Sequence, residues 1–246
     1  MKNTTSAEAA AGSRQPVSAD EAAILRAEHG ENAPPSMNVC LYRSGWVDVL
    51  RLTAADVDLA DIAHGLALTN RWNGATARPV SVAWHSLVVS ALAAETQPSA
   101  ELHGLMHDAA EAYTGDWTQP YKLHLGPMLT GVAEQIEHAC LKAAGVRGPA
   151  RTARAVKEAD RAVLLLEHAS PWGMGQQMRD EDTEIVARAH AAARRVNPDD
   201  DGAPFALEDK SESAFIDHAL WLMPAAAPMR RRVEGPASTR SSTGAA

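Results

Sequence analysis

Apolar and polar positions along most of the chain recur with the spacing of helices that bury one face. Ser81 stands directly before one such segment, where its hydroxyl can cap a helix, and Ser99 stands before the next. Gly145 can end a later helix, and the Asn197-Pro198 pair can stop another. The pattern predicts helices over residues 54–69, 82–94, 102–113, 131–144, 150–169, 183–196 and 213–223.

Strand signals are confined to one place near the start of the pattern. Residues 40–53 alternate well enough for a short β-hairpin that turns at Ser44-Gly45. Residues 1–36 predict a weakly ordered extension, within which Asp20 to His29 can form a short helix. Residues 224–246, rich in Pro, Ala, Ser and Arg, predict a disordered tail. The interpretation is a single all-α, bundle-like domain over residues 37–223, with a short N-terminal hairpin.

Composition narrows the classes of function. No apolar run approaches the roughly 20 residues of a membrane span, and the polar N-terminus lacks the apolar core of a secretory signal. A cytoplasmic protein is therefore expected. The net charge of −8 argues against binding the backbone of a nucleic acid, but leaves room for a small phosphorylated substrate. The two cysteines, Cys40 and Cys140, are expected to be packing residues.

The sharpest chemical feature is the sequence His107-Asp108, followed by Glu111, within an otherwise apolar stretch. On a continuous helix, Glu111 would lie beside both of the other side chains. Buried charges must be paired, solvated or bound to metal, and a divalent cation would satisfy histidine nitrogen and aspartate oxygen together. For an isolated His-Asp pair, however, a solvated surface pair is the commoner explanation.

Two other predicted helices each carry one polar residue in an apolar pattern. His85 lies among Val82, Leu87 and Val88, and Asp160 precedes the run from Val163 to Leu166. A lone histidine of this kind is more often hydrogen-bonded within a core, and Asp160 has basic neighbours that could pair with it. Three polar positions on three helices nevertheless favour a shared metal site.

The order and spacing of these polar residues resemble the signature of a known protein family. His85, His107-Asp108 and Asp160 match the order and approximate spacing of the H…HD…D signature of HD-domain phosphohydrolases. Further similarity, over residues 41–170, is to the YfbR-like 5′-deoxynucleotidases and their phage-encoded relatives that act on deoxynucleoside triphosphates. The segments that carry this similarity are Asp61 to His64, Arg71-Trp72, Ser81 to Ser86, His107 to Asp116, and Ala159-Asp160.

The resemblance implies an HD-domain helical bundle, a homodimer or larger homo-oligomer, and a role for each matched residue. His85, His107, Asp108 and Asp160 would hold a divalent metal ion. Their mixed nitrogen and oxygen ligands suit Mn, Co, Fe, Zn or Ni better than Mg. The catalytic carboxylates would be those of Glu111 and Asp116, while Arg71 would clamp the phosphate and Trp72 would shape the nucleoside pocket.

The expected function is removal of the 5′-phosphate from deoxynucleoside monophosphates. A first alternative is hydrolysis of deoxynucleoside triphosphates, for which Lys122 is a candidate to hold extra phosphates. Alarmone hydrolysis is disfavoured because Glu111 is followed by Ala112 instead of a second acid. An alternative of another class is a catalytically silent nucleotide-binding sensor. Departures from the family at Trp84 and Asn73-Gly74 leave the base preference open.

Two further histidines lie near these motifs in sequence. His103 is four residues before His107 and could orient a ligand, although a core or surface role is commoner. His64 could reach the phosphate site or cap the helix before it.

Overall fold

A computed structural model describes residues 37–125, 127–206 and 208–230 of the chain. The described chain is mainly helical with one two-stranded hairpin, which confirms the predicted fold class. Its strands and helices are β1 (Asn38–Leu41), β2 (Gly45–Asp48), α1 (Leu59–Leu68), α2 (Val82–Thr96), α3 (Glu101–Met106), α4 (Glu111–Thr114), α5 (Gln119–Leu125), α6 (Pro127–Ala144), α7 (Pro149–Ala169), α8 (Thr183–Val196) and α9 (Glu208–Leu222).

The hairpin is confirmed but spans residues 38–48 instead of 40–53, with β1 and β2 antiparallel and a 3-10 turn following over Val49–Arg51. Gly45 has a φ of 69°, a left-handed conformation that glycine adopts without strain. The buried carboxylate of Asp61, on α1, accepts a hydrogen bond from the Ser44 backbone N–H at 3.1 Å. This contact ties the turn of the hairpin to the helical body.

Helix α2 runs through the centre of the molecule. The Ser81 hydroxyl accepts from the Trp84 backbone N–H at 3.2 Å, as the predicted cap requires. Every residue from 81 to 90 is buried, because α2 contributes to two hydrophobic clusters at once. Leu87 belongs to the cluster that includes residues of α1, α3, α6 and α9, whereas Val88 belongs to the cluster that includes residues of α7 and α8. His85 therefore lies where the two clusters meet.

Two predicted helices have different bounds for identifiable reasons. Helix α1 begins at Leu59 and not at 54, because the Asp58 side chain accepts from the Ala60 N–H at 2.8 Å and caps it there. The single helix predicted over 102–113 is wrong. Helix α3 ends at Met106, and tighter bonds between residues three apart follow, including Glu111 N–H to the Asp108 carbonyl at 2.9 Å.

Other differences concern helix starts. Helix α6 begins at Pro127 instead of 131, α9 begins at Glu208 instead of 213, and α5 was not predicted. Helix α8 has the predicted bounds, and α7 begins one residue earlier than predicted. Across the described residues, none of the helices has both the length and the apolar character to cross a membrane.

The described chain continues past 224, the predicted start of the tail, as far as residue 230. Ala227 and Met229 are buried against the core, because apolar side chains just past α9 find space there. The Arg230 side chain also donates to the Leu220 carbonyl at 2.7 Å. The helix predicted within residues 1–36, and residues 231–246, lie outside the described residues. Cys140 is buried as expected, but Cys40 is exposed, so a packing role for Cys40 is wrong.

Candidate metal centre and adjoining pocket

Three elements bring the predicted metal ligands together. His85 comes from α2, His107 and Asp108 from the turn after α3, and Asp160 from α7. Three of them each offer one ligand atom, and these atoms lie within 4.8 Å of one another: His85, His107 and Asp160. This group could therefore hold a metal ion. The Asp108 Oδ2 atom is 3.1 Å from His107 Nε2 and 3.7 Å from His85 Nε2, so it borders the same group.

The hydrogen bonds of the two rings fix their tautomers. His107 Nδ1 lies 2.8 Å from the Gly104 carbonyl oxygen, which can only accept, so Nδ1 carries the hydrogen. His85 Nδ1 lies 2.8 Å from the Glu167 Oε1 atom and donates in the same way. Each neutral ring therefore presents the lone pair of Nε2, which is the form that binds metals.

The two Nε2 atoms are buried and form no hydrogen bond. His85 Nε2 is nevertheless only 3.1 Å from Asp160 Oδ1, and His107 Nε2 is equally close to Asp108 Oδ2. Buried polar atoms without partners are rare, and these lie beside carboxylate oxygens without bonding to them. A divalent cation with mixed nitrogen and oxygen ligands fits this arrangement.

The pKa values of these side chains in the metal-free protein are shifted because the charged groups lie so close together. Burial alone would lower the pKa of His107, but the Asp108 carboxylate raises it to about 9. Burial opposes ionisation of Asp108, yet His107, His85 and Arg71 together hold its pKa well below the usual range. The pKa of Asp160 is also lowered against the effect of burial, mainly by His85. The carboxylates are thus ready to bind a cation, which must displace a proton from His107.

Glu167, a fully buried residue on α7, was not among the site residues predicted from the sequence. Its carboxylate accepts from His85 Nδ1, from Arg71 Nε at 3.0 Å and from the Trp72 indole N–H at 2.8 Å. Although burial opposes its ionisation, Arg71 and His85 lower the pKa of Glu167. A signal was present in the sequence, because Glu167 follows Asp160 by seven residues and so lies on the same helix face.

Arg71 and Trp72 lie in the loop between α1 and α2. The loop is closed at its base by the Arg71 N–H, which donates to the Val80 carbonyl at 2.8 Å, and Trp72 has a φ of 60°. The buried Arg71 guanidinium has its Nη1 atom 3.6 Å from Asp108 Oδ2, so it adjoins the metal group. Trp72 is held by Glu167 and packs edge-on against His168, and its part in a nucleoside pocket stays a prediction.

A pocket opens beside the metal group on the side of α4 and α6. The residues that line it include the charged or aromatic side chains of His107, Asp108, Glu111, Trp117, Lys122 and Glu137. The Trp117 indole N–H donates to the Thr114 carbonyl at 2.8 Å, which fixes its ring. Two potential metal ligands thus face a space in which a small molecule can lie.

Glu111 is the buried acid of this pocket. Its Oε1 accepts from Lys122 Nζ at 3.2 Å, and its Oε2 is buried without a hydrogen bond. Burial, together with the charges of Asp108 and Asp116, raises the pKa of Glu111 to about 8, and Lys122 offsets part of the shift. Asp116 is half-buried, and burial raises its pKa too. Glu111 can therefore exchange a proton near neutral pH.

The other two histidines are engaged elsewhere. His103 Nδ1 lies 2.6 Å from the Thr152 hydroxyl and bonds α3 to α7. His64 Nδ1 lies 3.0 Å from Glu212 Oε2, and its ring stacks on Tyr42. Their hydrogen bonds are with these residues, although burial and the nearby charge of His107 lower the pKa of His103.

Fold and site together define a mainly helical protein with a candidate metal centre beside a pocket. No protein-family model matches the chain. It is 35% identical to an uncharacterized protein of Rhodobacter capsulatus over 165 residues, which make up 62% of this chain and 84% of the relative. The chain belongs to the same protein family as that bacterial protein, whose name states no function.

Proposed function

We propose that this protein is a metal-dependent phosphohydrolase of the HD-domain class that removes the 5′-phosphate from deoxynucleoside monophosphates. The observation that carries the proposal is the pair of buried histidines, His85 and His107. Their Nδ1 hydrogens are committed to fixed acceptors, and their Nε2 atoms lie unbonded beside Asp108 and Asp160. The resemblance of residues 41–170 to HD-domain phosphohydrolases points to the same chemistry.

In this proposal His85, His107, Asp108 and Asp160 hold a single divalent ion. The mixed ligand set favours Mn, Co, Fe, Zn or Ni. When bound, such an ion lowers the pKa of a water ligand and neutralises charge on the phosphate. The protein's task is to fix the four ligands, and Glu167 and the Gly104 carbonyl do this for the two imidazoles.

Arg71 and Glu111 supply the remaining roles. The Arg71 guanidinium, held by Glu167 and adjoining Asp108, offers its remaining N–H groups to phosphate oxygens. The pKa of Glu111, raised to about 8, lets its carboxyl group move a proton between the attacking water and the leaving oxygen. Asp116 adds a second carboxylate, which lies close enough to raise the pKa of both Arg71 and Glu111.

The leaving nucleoside would occupy the pocket beside Glu111. Trp117 offers an aromatic face to a base, and such stacking does not depend on base identity. Glu137 can accept from base or sugar donors at the same wall. A base preference would then come from Glu137 more than from Trp117.

A second candidate is hydrolysis of deoxynucleoside triphosphates. Lys122 favours it, because this half-exposed cation lines the pocket and can reach phosphates beyond the one at the metal. In the metal-free protein Lys122 is paired with Glu111, so binding further phosphates would require that ion pair to open.

Product analysis tests the function. The purified protein with Mn²⁺ or Co²⁺ is incubated with deoxynucleoside mono- and triphosphates, and with the ribonucleoside monophosphates. Inorganic phosphate from the deoxynucleoside monophosphates, suppressed by EDTA, is the expected result. Tripolyphosphate or stepwise phosphate from triphosphates would support the second candidate, and binding without any product would indicate a sensor.

Matched variants make the result specific to the site. His107→Ala is expected to lose metal and activity together while keeping its helical circular dichroism. His138→Ala, an exposed histidine on α6, is expected to behave as wild type. Full turnover by the His107 variant would contradict the assignment.

A further inference from the structure

The Glu167 carboxylate is bound by three side chains from two other parts of the chain. His85 donates to it from α2, and Arg71 and Trp72 donate to it from the loop before α2. Two of these donors have roles in the proposed function, one as a metal ligand and one as the phosphate clamp. A role for Glu167 in this site therefore rests on that function.

The bonding around Glu167 leaves it little freedom. The residue has no exposed surface, and both carboxylate oxygens are occupied by N–H donors from other residues. A buried carboxylate is stable as an ion only when its oxygens are bonded in this way. Rotation of Glu167 would therefore break the contacts with His85 and Arg71 together.

The backbone reinforces this connection. Past α7, the Met174 N–H donates to the Glu167 carbonyl at 3.0 Å. The next contacts run to the loop after Arg71, where the Ala77 and Arg78 N–H groups donate to the carbonyls of Gly173 and Trp172. A Cβ at Gly173 would lie 1.8 Å from the Glu167 carbonyl oxygen, so only glycine allows this close approach. The Arg71 loop is thus fixed to the end of α7 by both side chain and main chain.

We propose that Glu167 is a positioning residue that orients the metal ligand His85 and the phosphate-binding Arg71 through a single carboxylate. It accepts the His85 Nδ1 hydrogen and so directs Nε2 toward the metal, while it holds the guanidinium beside Asp108. Metal affinity and phosphate affinity then depend on the same side chain.

Binding measurements on the full chain test this without turnover. In Glu167→Gln the carboxylate charge and one of its two acceptor oxygens are lost, so the affinity for Zn²⁺ should fall by about 10- to 100-fold, the usual effect of mutating the partner behind a metal-bound histidine. With Zn²⁺ saturating, the affinity for inorganic phosphate should fall by about tenfold, because the Arg71 fork loses its fixed orientation. Glu158→Gln, an exposed glutamate on the same helix, is the matched control and should change neither affinity.

Two results would overturn the proposal. One is an unchanged Zn²⁺ affinity in folded Glu167→Gln, and the other is a loss of Zn²⁺ affinity with phosphate binding intact, since a shared carboxylate requires both to fall. Should the variant not fold, the wild-type protein with Zn²⁺ gives the answer by nuclear magnetic resonance. A slowly exchanging, downfield His85 Nδ1 hydrogen is expected, and its absence would refute the contact.

These readouts separate the inference from the function. A wild-type protein that binds Zn²⁺ and phosphate but hydrolyses no nucleotide would defeat the proposed function and leave the Glu167 assignment intact. An active wild type whose Glu167→Gln variant keeps both affinities would do the reverse.

Discussion

Two glutamates near the candidate metal centre, Glu111 and Glu167, are both buried but differ in their hydrogen bonds and in the direction of their pKa shifts. Glu167 accepts three hydrogen bonds from His85, Arg71 and Trp72, and its pKa is lowered. Glu111 accepts one from Lys122, has a buried oxygen without a partner, and has its pKa raised to about 8. Glu111 lines the pocket, whereas Glu167 is not among its lining residues.

The difference shows that burial alone does not decide the charge of a carboxyl group. Loss of water raises the pKa of both groups, and the donors around each decide the outcome. Glu167 is surrounded by cations and N–H groups, so it stays ionised and holds its neighbours in place. Glu111 faces the negative charges of Asp108 and Asp116, so it can hold or release a proton at neutral pH.

The largest expected effect comes from removing that proton carrier. Glu111→Gln keeps the shape of the side chain but cannot ionise, so kcat should fall by about 10²- to 10⁴-fold. Its Zn²⁺ affinity should stay within a few fold of wild type, because Glu111 is not in the group that could hold the ion. Steady-state kinetics and calorimetric titration measure the two quantities. Wild-type kcat in the variant would remove Glu111 from the mechanism.

A second prediction uses the opposite pKa shifts, in metal-free protein kept in EDTA. The ordinary pKa of both groups is 4.5. Above 4.5 the unfolded chain releases the Glu111 proton while the folded protein keeps it until about pH 8. Ionised Glu111 is therefore destabilising, and Glu111→Gln should gain stability relative to wild type as pH rises from 4.5 to 8, on the order of a few kcal/mol.

Glu167 should show the opposite dependence. Because its folded pKa is lowered, its contribution to stability is complete above pH 4.5 and is lost as pH falls through the folded value. The deficit of Glu167→Gln relative to wild type should therefore shrink in acid. Urea unfolding of both variants from about pH 2 to 9 measures the two trends, because the Glu167 contribution changes only below 4.5. Parallel trends would mean that the two carboxyl groups ionise alike.

The smallest effect concerns Lys122, which lowers the pKa of Glu111 from a half-exposed position. In Lys122→Met the pKa of Glu111 should rise further, so its limb of the pH–rate profile should move to higher pH. At a fixed pH on that limb kcat should change by only about two- to three-fold, because solvent and salt screen the pair. High salt should move the wild-type limb the same way, and a salt-insensitive profile would argue against this pair.

The residues that the sequence analysis located are those with a distinctive local signal. His85 and Asp160 interrupt apolar helical patterns, and the His107-Asp108 pair interrupts a third. A polar residue on a face that must be buried needs a partner, and the structure shows these four near one another. The hairpin and helix α8 were predicted for similar reasons, since turn residues and a proline mark their ends.

What the sequence did not reveal depended on contacts between distant segments. Glu167 reads as one more acid after an apolar run until α7 packs beside α2 and the Arg71 loop. The break after Met106 was missed too, because residues 107–110 contain neither Gly nor Pro to mark it. Buried Met229 shows the same limit, since a proline-rich composition does not reveal packing against the core.

The carbonyl of Gly104, which holds His107, has a consequence for how this site can change over generations. A main-chain oxygen is chemically the same whatever amino acid carries it, and here a Cβ at Gly104 would lie 3.0 Å from the Ser90 Cα atom, so substitution would have to shift the backbone. The acceptor behind His85 is a side chain, and a single codon change replaces it. Of the two imidazoles, that of His85 is therefore held by an acceptor that mutation can replace, whereas the acceptor behind His107 belongs to the main chain.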